Sequence, residues 1–197
     1  MLKQICGRFI FFLGLTLSFI VLSSCQSKPK QQYFPLKTGN MWNYTVRTGL
    51  QTKVQTLTVE KPIAICSTRG WHLTGPMGES RVVWKNGVLF VEQLPDTLFS
   101  PPLPLLSATQ IQSKRVWKGQ VYSMGKNLDA LAEIEQGPDQ YIIGGQSFSV
   151  VKVLMNLQLP QKKIELTTWF SEGIGILSQQ QRSQGYLDCS LEYLSGP

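Results

Sequence analysis

Few side chains of the catalytic types occur in a pattern that would support chemistry. His72 is the only histidine, so a zinc site would need Cys66 or carboxylates at a spacing that the chain does not offer. No Gly-x-Ser-x-Gly motif accompanies the serines, as a nucleophilic serine hydrolase would require. Glu133, Glu135 and Asp139 are close in sequence, but on an alternating strand Glu133 and Glu135 would share a solvent face instead of flanking a cleft. The sequence therefore predicts no catalytic residue, no metal site and no cofactor.

One cysteine follows a segment that looks like an export signal. Lys3 and Arg8 precede an apolar run over residues 9–22, whose 14 residues are fewer than the roughly 20 of a spanning helix. A positive start, a short apolar middle and small residues at the exit indicate a signal peptide over residues 1–24. The alternative is an ordinary signal peptide in which Cys25 is incidental.

The exit of this segment, Leu22-Ser23-Ser24-Cys25, resembles the lipobox of bacterial lipoproteins. The resemblance implies cleavage before Cys25, which becomes an acylated N-terminus held in a membrane by its acyl chains. Gln26 follows, and by resemblance to enterobacterial sorting a residue other than Asp there permits outer-membrane delivery. The expected location is the cell envelope: the periplasmic face of the outer membrane in a diderm, otherwise the outer face of the plasma membrane.

Composition then divides the chain into three parts. Residues 25–32 predict a lipidated cysteine and a polar tether, and residues 33–197 are long enough for a single domain with its own core.

Without Lys3 and Arg8, 17 basic residues remain against 12 acidic ones, a net charge of +5. The basic excess lies toward the tether, where an anionic lipid surface would attract it, although a solvated face is an equal alternative. Nucleic acid is not an expected partner, because the chain is exported and no basic run exceeds two residues.

Two cysteines are left for the domain. Cys66 and Cys189 lie in strand-like stretches, and an exported protein is in a compartment that permits disulfides. A bridge between them would close a long loop and contribute about 4 kcal/mol in the chain-entropy model. The alternative is two separately buried thiols, and sequence does not decide between them.

Almost everything after Gly39 alternates apolar and polar residues with frequent turn residues, which is typical of antiparallel sheet. Asn86-Gly87 is the strongest hairpin signal, and Gly144-Gly145 indicates another turn. The Ala- and Leu-rich segment 128–135 could be a strand or a short helix. We expect a mainly β domain, formed by a strongly curved antiparallel sheet as an open or half-closed barrel, with few or no helices apart from the leader.

The segment from Leu94 to Leu106 differs, because it holds four prolines among leucines and a phenylalanine. Prolines cannot donate to a ladder, so we expect no central strand here. The segment is predicted to be a linker packed against the sheet, or alternatively a lip that shields or admits an apolar ligand. A weak duplication straddles it, with halves over residues 33–94 and 103–180.

Tryptophans are the other candidate site. They could line a concave apolar surface that binds a ligand, or they could simply fill the core. The five are Trp42, Trp71, Trp84, Trp117 and Trp169.

The domain start resembles a loose group of bacterial lipoproteins whose mature domains begin Phe-Pro-Leu, then Gly, then Trp-x-Tyr. The matching residues here are Phe34-Pro35-Leu36, Gly39, Trp42 and Tyr44. The group also carries a late aromatic, glycine-rich turn, which residues 169–176 match with departures. The resemblance implies no activity.

These observations favour a membrane-anchored, non-catalytic envelope lipoprotein. Curved sheets suit binding of an apolar ligand, such as a lipid or acyl chain, or of another envelope protein, by analogy of shape. A structural or assembly lipoprotein with a filled core, acting only through protein partners, is the alternative. An envelope hydrolase is a weaker one.

Overall fold

A computed structural model describes residues 33–197. They form a closed barrel in which twelve antiparallel strands follow one another in chain order, and β12 pairs with β1. The mainly β prediction is confirmed, and the ring is closed where we expected an open or half-closed one. The strands are β1 Met41–Thr48, β2 Gln51–Ile65, β3 Thr68–Gly75, β4 Gly78–Lys85, β5 Val88–Leu94, β6 Thr97–Ser107, β7 Ser113–Ser123, β8 Lys126–Ile143, β9 Gln146–Leu159, β10 Lys162–Ser171, β11 Gly175–Ser183 and β12 Tyr186–Ser195.

Strand direction gives the barrel two distinct ends. The chain enters β1 from residues 33–40, so we call this the proximal end; it also holds the turns that follow the even-numbered strands and the last residues of the chain. The distal end holds the turns that follow the odd-numbered strands. Asn86 and Gly87, at a proximal turn, have φ angles of 52° and 75°, as a two-residue hairpin turn requires.

The proximal end is sealed by the segment that leads into β1. Phe34 and Leu36 are buried, and the Phe34 ring lies 5.2 Å from the Trp42 ring and 6.4 Å from the Phe170 ring. Trp84 Nε1 donates a hydrogen bond to the Phe34 carbonyl at 3.1 Å. Residues 33–36 therefore act as a plug that joins β1, β4 and β10 across the barrel.

The proline-rich segment is a strand, which corrects our expectation of a linker or lip. Residues 97–107 form β6 and pair with β5 in a ladder with bulges. On its other side β6 pairs with β7 only through Leu98, Phe99 and Ser100. The prolines account for both results, because the adjacent Pro101 and Pro102 have no N–H to offer a neighbour on either side. The ladder to β5 is interrupted between Leu98 and Leu103, and the ladder to β7 ends at Ser100. Segment 128–135 lies within β8, so the helical alternative is wrong.

Candidate functional site

The barrel contains a small, partly open apolar cavity beneath the distal turns β3–β4 and β5–β6. Its volume is about 90 Å³. An engineered cavity of about 150 Å³ holds one benzene molecule, and pockets for drug-sized ligands measure about 300–1,000 Å³. The cavity therefore has room for a small apolar group and none for an acyl chain. Its lining includes Leu73, Met77, Val82, Leu89, Val91, Leu94, Leu105, Leu166 and Leu191, with Phe34 at its floor.

Large side chains fill the rest of the interior. Tyr44 is 1% exposed, and its hydroxyl donates to the Ile176 carbonyl at 3.1 Å. Burial, followed by the neighbouring Tyr193, raises the pKa of Tyr44 far above its ordinary value, so this hydroxyl serves as a neutral hydrogen-bond donor. Leu103, Ile134 and Met155 are also almost completely buried.

A sulfur–sulfur contact closes part of the distal mouth. Met77, in the β3–β4 turn, reaches β12, three strands away around the ring, where Cys189 Sγ donates to Met77 Sδ at 3.2 Å. Burial, and after it the charge of Asp188, raises the pKa of the Cys189 thiol, so the thiol form that donates is favoured. Met77 thus lies over the cavity as a flexible cover, a role that suits an unbranched thioether.

The structure contradicts the disulfide between Cys66 and Cys189, because both are free thiols. Cys66 is exposed in the proximal turn between β2 and β3, whereas Cys189 is buried and pairs with Thr48 near the distal end. A bridge needs Cα atoms within about 7 Å, which opposite ends of the barrel do not provide. The alternative prediction of two separately buried thiols is therefore correct in that the thiols are separate, and wrong in that Cys66 is exposed.

The five tryptophans do not form one ligand-binding face, and none of them lines the cavity. Trp42 and Trp84 hold the plug, while Trp117 fills the gap between β6 and β7 and donates to the Pro101 carbonyl. Trp71 lies under the Arg69 guanidinium at 5.0 Å. Trp169 is on the outer wall, where its Nε1 donates to Asp139. Core packing and wall contacts, not a concave surface, account for their positions.

The gap between β6 and β7 is bridged by polar side chains, and sequence reasoning missed them. Gln136 is 3% exposed; its Oε1 accepts from the Ser107 N–H, and its Nε2 donates to the carbonyls of Ser107, Gln110 and Ile111. Arg115 donates to the Leu105 carbonyl and to Gln136, and burial lowers its pKa. The signal for Gln136 was its inward position in the alternation of Ala132 and Ile134.

The candidate catalytic and metal-binding residues lie apart. His72 Nε2 lies 3.3 Å from Glu79 Oε2 on the neighbouring strand, and Glu133 and Glu135 are both exposed on the outer face of β8, as predicted. Within residues 33–197, no three His, Cys, Asp or Glu side chains are grouped as a metal site would need. Over the same range, no helix is long and apolar enough to cross a membrane. Cys25, the leader and the tether lie outside the described residues.

Comparison with known proteins identifies the fold. No protein-family model matches the chain, and no curated protein sequence is significantly similar to it. A crystal structure of a protein from Parabacteroides distasonis, described as a lipoprotein, superposes with a TM-score of 0.50 at 13% identity, covering 84% of this chain and 98% of that chain. That likeness shows a shared fold.

Two further crystal structures give lower scores. An exported protein from Bacteroides fragilis, described as having a YmcC-like fold, has a TM-score of 0.48 at 14% identity and covers 84% of this chain and 98% of that one. The hypothetical lipoprotein YmcC from Escherichia coli has a TM-score of 0.41 at 11% identity and covers 80% of this chain and 88% of that one.

Proposed function

We propose that the chain is an exported lipoprotein of the cell envelope, held at a membrane by acylated Cys25. The lipobox-like Leu22-Ser23-Ser24-Cys25 supports this, and so does the fold shared with a protein described as a lipoprotein. The tether of residues 26–32 spans at most about 25 Å when extended. The barrel therefore works close to its membrane, with its proximal end nearest the anchor.

Replacing Cys25 by serine is expected to abolish membrane retention, because no acyl chain can then be attached. The measurement is fractionation of cells that express the full chain, with metabolic labelling by an alkyne fatty acid. Cys66→Ser is the matched control and should leave both retention and labelling unchanged. Retention of the Cys25→Ser variant after a high-salt wash would contradict lipid anchoring.

We further propose a non-catalytic role in which the barrel binds another envelope protein through its surface. The observation that carries this is the filled interior, since a 90 Å³ cavity does not hold a lipid chain. The distal end offers the surface, because Leu50 is fully exposed and Tyr186 and Leu187 are 79% and 47% exposed on neighbouring hairpin tips. These tips are at the end of the barrel farthest from the anchor, where a protein outside the membrane could contact them.

A photo-crosslinking amino acid at position 186 is expected to yield a discrete adduct with one envelope protein in intact cells. Adding Leu50→Asp should reduce the adduct about tenfold, because a charge replaces apolar area on the hairpin tip beside Tyr186. Val116→Asp is the control: Val116 is 58% exposed on the barrel wall, away from the distal tips. No adduct, or equal loss with both variants, would contradict a distal partner site.

An apolar ligand remains the second candidate, favoured by the aliphatic lining of the distal cavity. Native mass spectrometry of the chain from Gln26 onward is expected to give the bare protein mass after gentle extraction. If a lipid or fatty acid copurifies with the chain, and is lost when Val82→Phe fills the cavity, the result would contradict the surface role and support lipid carriage.

A further inference from the structure

One hairpin projects beyond the wall of the barrel at the proximal end. β8 pairs with β9 as far as Ile143 and Gln146. The pairing of β8 with β7 ends at Gln136, opposite Ser113, and the pairing of β9 with β10 ends at Val150, opposite Ser171. Residues 146–149 therefore extend past β10 by about 13 Å at the usual strand rise. On the other side, residues 137–143 extend past β7.

The tip of this hairpin carries apolar side chains and no charge. Residues 140–151 contain no Asp, Glu, Lys or Arg. Ile142 is 69% exposed and lies on one face of the hairpin, opposite Ser147. Tyr141 and Phe148 pair directly and share the other face with Ile143. An exposed two-stranded edge usually carries charges that prevent association, so an uncharged apolar tip needs a partner.

Amphipathic aromatic side chains mark the base of the hairpin. The Tyr141 and Trp169 rings lie 5.1 Å apart, and Lys152 Nζ lies 5.6 Å from the centre of the Trp169 ring. Trp169 Nε1 donates to Asp139 at 3.3 Å. Trp and Tyr with one apolar and one polar side are enriched where lipid headgroups meet acyl chains.

The proximal end also presents positive charge on the side of β2–β4, where exposed basic residues outnumber the exposed Glu60; Glu172 is exposed in the β10–β11 turn. The segment that leads to the tether contains Lys37, the β2–β3 hairpin contributes Lys61 and Arg69, and Lys85 ends β4; all four are exposed. The β2–β3 hairpin lies six strands from β8–β9, on the other side of the ring. Each basic residue near an anionic lipid surface adds attraction. The proximal end therefore has a basic side at the β2–β3 hairpin and an apolar side at the β8–β9 hairpin.

We propose that the β8–β9 hairpin tip inserts into the lipid surface toward which the N-terminal tether leads. Ile142 and Ile143 enter the acyl region, the paired Tyr141 and Phe148 lie with Trp169 at its boundary with the headgroups, and Lys61, Arg69 and Lys85 contact anionic headgroups. Apolar residues on both faces of a thin ribbon favour lipid, because lipid surrounds the tip from every side while a protein surface covers one face. The inference rests on the proposed Cys25 anchor only for which membrane the hairpin meets; binding of the hairpin to lipid does not require the anchor.

The test places an environment-sensitive fluorophore at the tip. The chain from Gln26 onward, which retains all twelve strands, carries an N-terminal histidine tag and binds vesicles of phosphatidylethanolamine, phosphatidylglycerol and a nickel-chelating lipid. In a Cys66→Ser background, Ile142→Cys is labelled with NBD, while native Cys189 stays buried against Met77. The matched control is Leu50→Cys, on the distal end. Lipids brominated in the acyl chain serve as quenchers.

We expect blue-shifted NBD emission and several-fold stronger quenching at position 142 than at position 50. In untagged protein, Ile142→Asp should lower vesicle partitioning about tenfold with an unchanged melting temperature, and Leu50→Asp should have no effect. A label at position 142 that stays in water, or responds no more than the one at position 50, overturns the proposal. Since the tag replaces the lipid, this result is independent of the Cys25→Ser experiment.

Discussion

Replacing Trp42 by alanine is expected to lower the free energy of unfolding by about 4 kcal/mol. Domains of this kind are stable by only about 5–15 kcal/mol, so one substitution would remove a large share. Trp42 is fully buried, and its Nε1 donates to the Ile174 carbonyl in the β10–β11 turn at 2.6 Å. The change therefore creates a cavity and leaves a carbonyl without its partner.

The position of Trp42 makes the effect larger than core volume alone implies. Its ring packs against Phe34, so its loss also loosens the plug that seals the proximal end. A β carbon built on Gly175 would lie 3.2 Å from Trp42 Nε1, and one built on Gly196 would lie 2.6 Å from its Cδ1. Both glycines allow the indole to lie against backbone, and this close packing cannot be restored by a smaller side chain.

Chemical denaturation followed by far-ultraviolet circular dichroism measures this prediction. Trp169→Ala is the matched control, because the same residue type is removed from the outer wall, and about 1 kcal/mol or less should be lost there. If Trp42→Ala is too unstable to purify, Trp42→Phe should retain the ring contact and lose about 1–2 kcal/mol. Equal effects of Trp42→Ala and Trp169→Ala would contradict the plug.

The Phe-Pro-Leu and Trp-x-Tyr pattern at the domain start has a physical explanation in this plug. Phe34 and Leu36 fill the proximal end, while Trp42 and Tyr44 lie on the inner face of β1 and donate to backbone carbonyls at residues 174 and 176. The late aromatic, glycine-rich turn supplies those carbonyls. The two separated sequence patches of the resemblance are therefore two sides of one contact.

Alternation predicted the strands because each barrel strand has one face inside and one face in solvent. It could not predict closure, since the pairing of β1 with β12 joins residues about 150 apart and leaves no local signal. The sequence does not predict β6, because prolines do not suit a central strand; β6 tolerates them because it has an interrupted ladder to β5, three paired positions with β7 and the Gln136 bridge to β8. The sequence also could not predict the small cavity, because the Met77 side chain that covers it contacts Cys189, which is 112 residues away in the chain.

Gln136→Leu is expected to destabilise the barrel by about 3 kcal/mol, although leucine is close to glutamine in volume. The substitution leaves the Ser107 N–H and the carbonyls of Ser107, Gln110 and Ile111 without their donor or acceptor. A buried backbone group left without a partner costs about 1–3 kcal/mol, and water reaching the outer carbonyls offsets part of the sum. Arg115 also loses its contact with the amide oxygen.

The local consequence separates this bridge from ordinary core packing. β6 and β7 share only three paired positions, so without Gln136 the adjoining half of β6 is held mainly by its pairing with β5, and the loop over residues 108–112 loses its hydrogen bonds to β8. Hydrogen exchange should therefore accelerate at Ser107 and in that loop well before global unfolding. Gln140→Leu is the control, since Gln140 is exposed on the same strand. Unchanged exchange at Ser107 in the Gln136→Leu variant would contradict the role of Gln136, because the pairing of β6 with β5 would then be enough to keep β6 in place.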